Sequence, residues 1–230
     1  MIKKIYVFFV RLIYIIFSLL GIILLLKNFK YNKFTHWFLS LFYIWDIEGL
    51  IYLDCPWWTY RSIKKINDFL KNRDNVIAFE YGSGASSIWL AKRVKQLYSI
   101  EHNKDWFNIV KKHIKSFSNI NYNFIPAEKK INSHEYLSMK EKGVSFFNYV
   151  NGINCLNKKF DLIVIDGRAR NACLKAAVKN LKKDGIIIFD NCNRKRYKND
   201  LTKLKNKIEY FSGLTPTLPY PECTAIIYNK

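Results

Sequence analysis

The stretch 75–105, NVIAFEYGSGASSIWLAKRVKQLYSIEHNKD, restricts the fold more than any other part of the chain. Val76 to Phe79 is a short apolar run of strand formers. Gly82 and Gly84 follow, where the backbone must turn sharply and approach a ligand without a Cβ in the way. Ser86 and Ser87 offer N-cap oxygens to a helix carrying Ile88, Trp89, Leu90 and Val94. A second strand, 96–100, ends on Glu101, which is placed to accept hydrogen bonds from a ribose diol. The unit reads as a nucleoside-binding βαβ half.

Charge then selects among nucleosides. A dinucleotide fingerprint reads G-x-G-x-x-G, and here the third glycine position is Ser87. Glu80 stands just before the first glycine. A carboxylate there repels a pyrophosphate, but attracts the ammonium and sulfonium of S-adenosylmethionine, which has no phosphate. An acid-walled turn of Glu80 and Glu101 therefore favours the sulfonium cofactor over a nicotinamide dinucleotide.

A second chemical centre lies in FDLIVIDGRARNACLKAAVKNLKKDGIIIFDNCNR, residues 160–194. The runs 162–165 and 186–189 read as buried strands, joined by an amphipathic helix over 171–181, the crossover that parallel strands need. Asp166 then marks one strand's C-terminal end, and Asp190 with Asn191 marks the next, on the edge where α/β sheets bind ligands. Two carboxylates and an amide oxygen at adjacent strand tips form a hard-oxygen set suited to Mg²⁺ or Mn²⁺. Without a metal, Asp166 serves as a base or polar contact. Arg168 and Arg170 are poor proton acceptors and suit a carboxylate or phosphate on an acceptor molecule.

Residues 2–26 are the strongest shift in composition, with an unbroken apolar run over 12–26. Starting at Ile5, the run is long enough to span a bilayer as one helix, provided Arg11 reaches an interface. A signal peptide with Lys3 and Lys4 as its basic end is the competing reading, but Lys27-Asn28-Phe29-Lys30 offers no small-residue cleavage site. The reading is therefore an uncleaved membrane anchor, with an interfacial helix as second choice. Asp46, Glu48 and Gly49 interrupt the aromatic segment 34–53, which reads as a cap or membrane-lying helix. Thr59 caps a helix reaching about Lys71. Trp57 and Trp58, in CPWWTY, are packing residues or a wall for the substrate. The organisation expected is an anchor over 1–33, an aromatic helical cap or linker over 34–70, and an α/β domain over 71–230.

The rest of the chain adds a helix over 104–115, a third strand over 121–125 and, after Pro126, Ala127 and Glu128 as candidate adenine contacts. A helix near 200–207, a strand near 209–211 and a last strand over 224–228 complete the expected elements. The four histidines have no ligand spacing to one another and read as surface or structural, with His102 also placed beside the cofactor by Glu101. Five cysteines without a C-x-x-C pair fit neither a disulfide framework nor a zinc cluster, and reduced thiols are the simplest account. The net charge of +20 suits an anionic membrane, a nucleic acid or an acidic glycan, although the lysines are scattered and the Lys, Ile and Asn usage also fits codon bias.

The pieces PWW, EYGSGASS, SIEHNKDW, IDGRARNAC, FDN and FSGLTP together resemble a bacterial branch of the class I S-adenosylmethionine-dependent methyltransferases over about three quarters of the chain. IDGRARNAC is also similar to the corresponding piece of plant glucuronoxylan O-methyltransferases. The resemblance implies an α/β, Rossmann-like methyltransferase fold: a seven-stranded, mostly parallel sheet with helices on both faces and one reversed strand at the edge. It implies that Glu80, Gly82 and Gly84 meet the methionine part of the cofactor and Glu101 its ribose, with Ser83, Ser87, His102 and Asp166 also at the cofactor. Asp166, Asp190 and Asn191 match the metal-ligand positions of the catechol O-methyltransferases, but Ala169 stands where those enzymes place a base lysine. The implied catalytic set is Asp166, Arg168 and Arg170, with Trp57, Trp58 and Arg168 toward the substrate.

The expected activity is methyl transfer to a hydroxyl of a saccharide, a lipid-linked glycan or another small acceptor, at the cytoplasmic face of a membrane where the cofactor is made. A nucleic-acid methyltransferase is the competing reading. It is disfavoured because an amino-methylating N/D-P-P-Y/F element is replaced by DGRA, and nucleic acid is not the expected partner. A membrane-tethered protein that binds the cofactor without turnover is a third.

Overall fold

The computed structural model describes residues 2–129, 133–139 and 141–229. The side chains of Lys3 and Lys4, the basic end of the signal-peptide alternative, lie outside the described part. Five helices precede the sheet: α1 (Ile2–Leu19), α2 (Ile22–Asn28), α3 (Lys33–Leu41), α4 (Ile47–Tyr52) and α5 (Tyr60–Lys71). The first half of the sheet follows as β1 (Ile77–Tyr81), α6 (Ala85–Ala91), β2 (Gln96–Glu101), α7 (Lys104–Ile114) and β3 (Ile120–Phe124). A small hairpin, β4 (Leu137–Ser138) and β5 (Glu141–Ser145), and α8 (Phe147–Asn151) lead to the second half. That half runs β6 (Phe160–Ile165), α9 (Arg170–Asn180), β7 (Leu181–Asp190), α10 (Lys195–Thr202), β8 (Lys207–Gly213) and β9 (Glu222–Tyr228).

Among the described residues, seven of these strands form one sheet in the order β3-β2-β1-β6-β7-β9-β8. The pairs from β3 through β7 are parallel, while β9 runs antiparallel to both of its neighbours. The reversed strand was expected at the edge; it lies one place in, and β8 is outermost. The side-chain period of a strand explains why the central runs are continuously apolar. Ile163, Ile165, Ile187 and Phe189 point into one core with α8 and α9. Leu162, Val164, Ile186 and Ile188 point into the other, under α5 and α6. Both faces are buried, so nothing along these strands alternates to polar.

The N-terminal helices form a third apolar cluster beside the cleft. Leu39, Tyr43, Ile47 and Leu50 pack onto Ala85 and Ile88 of α6 and Val110 and Ile114 of α7. Asn32 caps α3 by accepting from Phe34 and Thr35 N–H, and Asp46 caps α4 by accepting from Glu48 and Gly49 N–H. Thr59, expected to cap α5, instead donates to Ser62 Oγ and the Phe211 carbonyl. No single helix among the described residues is long and apolar enough to cross a membrane. The expected span is broken at Gly21, whose φ of 71° sets α1 and α2 at 87° to each other. Cys192 and Cys223, far apart in sequence, bring their sulfurs to 2.8 Å on neighbouring strand ends.

Candidate functional site

The order of the strands fixes where a ligand can lie. From β1 the chain continues to β2 and β3 on one side, and β6 and β7 lie on the other, so the loops at the C-terminal ends of β1 and β6 flank a crevice. Those two loops touch. Gly82 has φ +85°, and a Cβ there would lie 2.8 Å from Gly167 N and Cα. A Cβ on Gly167 would lie 2.0 Å from Tyr149 Oη. Neither position admits a side chain. Gly84 differs: its backbone is extended, and a Cβ would meet Trp106 at an ordinary 3.8 Å.

Beyond the contact opens a cleft of about 430 Å³, walled by Gly82, Ser83, Glu101, His102, Trp106 and Asp166 among others. That volume falls within the range of small-molecule sites. Glu101 is buried at the end of β2 and is held by donors of its own chain. Its Oε1 accepts from His102 N at 2.8 Å and Asn103 N at 2.9 Å, and its Oε2 accepts from Ser83 N at 3.0 Å and Ser83 Oγ at 3.1 Å. Burial raises the Glu101 carboxyl, but His102 and the N–H groups of Asn103 and Ser83 outweigh it and hold the acid below its usual range. His102 brings Nδ1 to 2.8 Å from Glu101 and Nε2 to 3.3 Å from Glu141, both close contacts without hydrogen-bond alignment.

Two aromatics hold Ser83 in this wall: Trp106, the last residue of SIEHNKDW, which lines the cleft, and Tyr122, which has no motif around it. Trp106 Nε1 donates to the Ser83 carbonyl at 2.8 Å, and Tyr122 Oη meets Ser83 Oγ at 2.6 Å. The signal in the sequence was Trp106 closing SIEHNKDW in the first turn of α7, where Asn103 caps by accepting from Trp106 N; nothing marked Tyr122.

Glu80, expected on the wall of the turn, lies behind it, fully buried. Ser86 Oγ donates to its Oε1 at 2.5 Å, and Ser87 Oγ and Ser99 Oγ donate to its Oε2 at 2.5 and 2.7 Å. Burial lifts its pKa to about 7 against these three hydroxyls. Ser87, expected at the cofactor, is equally buried; it accepts from Gly84 N and ties the turn to Glu80. Trp58, expected at the substrate, is fully buried edge-on to Trp89, and Trp57 packs beside Val7, Val10 and Ile44. Glu128, expected at the adenine, accepts from Asn148 N, and Ala127 packs against the core.

Asp166 reaches the cleft from the end of β6 with its side chain 27% exposed. Its Oδ1 accepts from Arg170 Nη2 at 2.5 Å, and no described residue bonds its second oxygen. Burial lifts the Asp166 carboxyl above its ordinary range against the pull of Arg170 and Arg194. Asp190 is turned away from the cleft, accepting from Thr224 Oγ1 at 2.9 Å. Burial, then the charge of Asp166, raises its pKa. Arg170, expected to face an acceptor, is 7% exposed and folded under the loop. The three expected metal ligands therefore do not form an open ring: the Arg170 guanidinium lies among them, and no group of three or more His, Cys, Asp or Glu among the described residues could hold an ion.

A second cavity, about 320 Å³, adjoins the cleft and shares Gly167 and Arg168 with it. Arg168 pairs with Glu141 at 2.8 Å. Lys175, Arg194 and Arg196 make this cavity basic, and the buried Oδ1 of Asn171 has no partner there.

Many chains of solved structure are similar, three of them as follows. A Streptococcus mutans protein in complex with S-adenosylhomocysteine aligns with a TM-score of 0.51 at 13% identity, covering 74% of this chain and 99% of that one. The precorrin-6y C5,15-methyltransferase of Geobacter metallireducens gives 0.50 at 14%, covering 76% and 91%. An rRNA methylase from Streptococcus thermophilus gives 0.51 at 13%, covering 73% and 96%. The fold is the Rossmann-like methyltransferase fold. No protein-family model matches the sequence, and no curated protein matches it significantly. At such identities the likeness carries the methyltransferase fold and nothing finer about the residues.

Proposed function

We propose that the chain transfers a methyl group from S-adenosylmethionine to a hydroxyl oxygen of a small acceptor. The observation that carries this reading is the cleft at the β1/β6 crevice, with an ionised Glu101 at the end of β2 and Asp166 at the end of β6. An acidic wall suits a nucleoside bearing cationic groups, and the two touching glycine loops leave backbone rather than side chains beneath it. S-adenosylmethionine, when bound, supplies an electrophilic methyl on its sulfonium. Glu101 receives the ribose hydroxyls in place of the Ser83 hydroxyl it now holds. Gly82, Ser83, Gly84 and His102 shape the cofactor side. The unbonded oxygen of Asp166 takes the proton from the acceptor hydroxyl as its oxygen forms the new bond to carbon and the bond from sulfur breaks.

The acceptor enters through the basic cavity beside Arg168, where Arg194 and Arg196 suit an anionic group and Asn171 Oδ1 suits a hydroxyl donor. An acidic saccharide, or one linked to a lipid through phosphate, has both. The surface of the N-terminal helices supports a proposed place for this chemistry at a membrane surface. Val7, Val10, Tyr14 and Phe17 of α1 face the protein, while Phe8, Phe9, Ile13, Ile16 and Leu19 are open to solvent on the other side. A helix half committed to the fold lies along a bilayer as an interfacial anchor.

The test is calorimetry followed by transfer of labelled methyl to membrane glycans and lipids. S-adenosylhomocysteine is expected to bind and NAD⁺ not to. Glu101→Ala is expected to weaken that binding at least about 10-fold, the scale of a lost charge-assisted hydrogen bond. Asp166→Asn is expected to keep it while reducing turnover about 100-fold or more. Binding of NAD⁺ in preference would end the reading, and label found in RNA alone would pass it to the nucleic-acid methylases.

A further inference from the structure

We infer that Arg170 is the resident cation of this site, occupying the place among Asp166, Asp190 and Asn191 where a divalent metal would otherwise bind. The geometry is complete around the guanidinium. Nε donates to the Gly167 carbonyl at 3.1 Å, and Nη2 donates to the Asp166 carbonyl at 2.9 Å and to Asp166 Oδ1 at 2.5 Å. Nη1 donates to the Asp190 carbonyl at 2.5 Å and, longer, to Asn191 Oδ1 at 3.4 Å. An arginine has five N–H donors, and each has an oxygen. Those oxygens come from both strand tips, so one side chain ties the end of β6 to the end of β7.

The backbone is bent to deliver it. Ala169, immediately before Arg170, has φ 45°, a left-handed conformation that costs a residue with a Cβ about 1–2 kcal/mol. Asn191 at the other strand tip is left-handed too, at φ 52°. The turn at Ala169 starts α9 and folds Arg170 back over Asp166, so that it lines the acceptor cavity with its donors already turned to the protein.

A guanidinium and a hard divalent ion use the same oxygens differently. The ion keeps open positions and can polarise a bound hydroxyl, whereas Arg170 has every donor committed to the protein and offers an acceptor none. Its role is positioning: it fixes Asp166 by one oxygen and leaves the other to work. This deepens the methyl-transfer reading, but its first test does not depend on it.

That test is Mn²⁺ titration of the full chain, followed by electron paramagnetic resonance, with thermal melts as the check on folding. The wild-type protein is expected to leave Mn²⁺ free up to the order of 1 mM, the weak end of oxygen-ligand sites. Arg170→Met keeps the length, removes the charge and exposes the oxygens, so it is expected to bind Mn²⁺ at least about 10-fold more tightly than wild type. Adding Asp166→Asn to that variant should abolish the gain. A wild-type site abolished by Asp166→Asn would overturn the inference whatever the variant does, and so would a folded Arg170→Met that binds no Mn²⁺. Failure of S-adenosylhomocysteine to bind would defeat the methyl-transfer reading and leave this result standing.

Discussion

Glu80 shows how one side chain's surroundings decide its role. It shares a face of β1 with Ala78, the face on which α6 packs, while Phe79 and Tyr81 take the other. Alternation along the strand therefore aims it at Ser86, Ser87 and Ser99, away from the cleft. The acid was legible in the sequence; the hydroxyls that receive it were visible too, but their common face was not. Its folded pKa of about 7 lies above the ordinary 4.5, so the native state holds a proton that the unfolded chain has released. Stability from this group is fully present below pH 4.5 and is lost as pH rises through 7, by roughly 3 kcal/mol in all. Melts at pH 5 and pH 8 should show a fall in the wild type that Glu80→Gln lacks; equal falls would contradict the assignment. The glycines separate in the same way. Gly82→Ala meets backbone at 2.8 Å and a left-handed φ, so urea melts should show a loss of at least about 2 kcal/mol. Gly84→Ala should melt within about 0.5 kcal/mol of wild type, since its added carbon has room and its backbone is extended.

At the scale of elements, strands buried on both faces were the easiest to read, because burial forces a continuous apolar run that few other structures produce. The β1–α6–β2 unit and the β6–α9–β7 crossover stand where the sequence places them, within a residue or two except at the start of β7 and in α6, which takes Gly84 rather than Ser86 or Ser87 as its N-cap and ends at Ala91, short of Val94. The break between α1 and α2 was not legible. A glycine inside an apolar run costs a helix only about 1 kcal/mol, so sequence cannot tell whether the chain continues straight or turns. What accompanies it is tertiary: Ile23 of α2 is buried in the cluster of Leu39 and Leu50, against which Tyr14 and Phe17 of α1 also pack. The tryptophan pair is a second case. Trp58 fills the space beneath Trp89 with no exposure, so Trp58→Ala should lower stability by about 3–5 kcal/mol, measured by urea unfolding. A melt near that of wild type would return it to the candidates for substrate contact.

For the molecule as a whole, charge and apolar surface combine on the N-terminal arm. Leu19 is 82% exposed and Phe8 64%, and Lys27, Lys30 and Lys33 follow the break. An apolar face beside basic residues favours an anionic bilayer, each nearby lysine adding about 1 kcal/mol. The chain should therefore float with vesicles containing phosphatidylglycerol, and float less with pure phosphatidylcholine or in high salt. Flotation indifferent to lipid charge would remove the electrostatic part. The seam between the loops after β1 and β6 has a consequence of its own. Because Gly82 lies against Gly167, and Gly167 against Tyr149, the half proposed to grip a nucleoside and the half proposed to handle its acceptor share one wall. A change of specificity on either side must be made in the outer loops, since the partition itself has no spare atom to give.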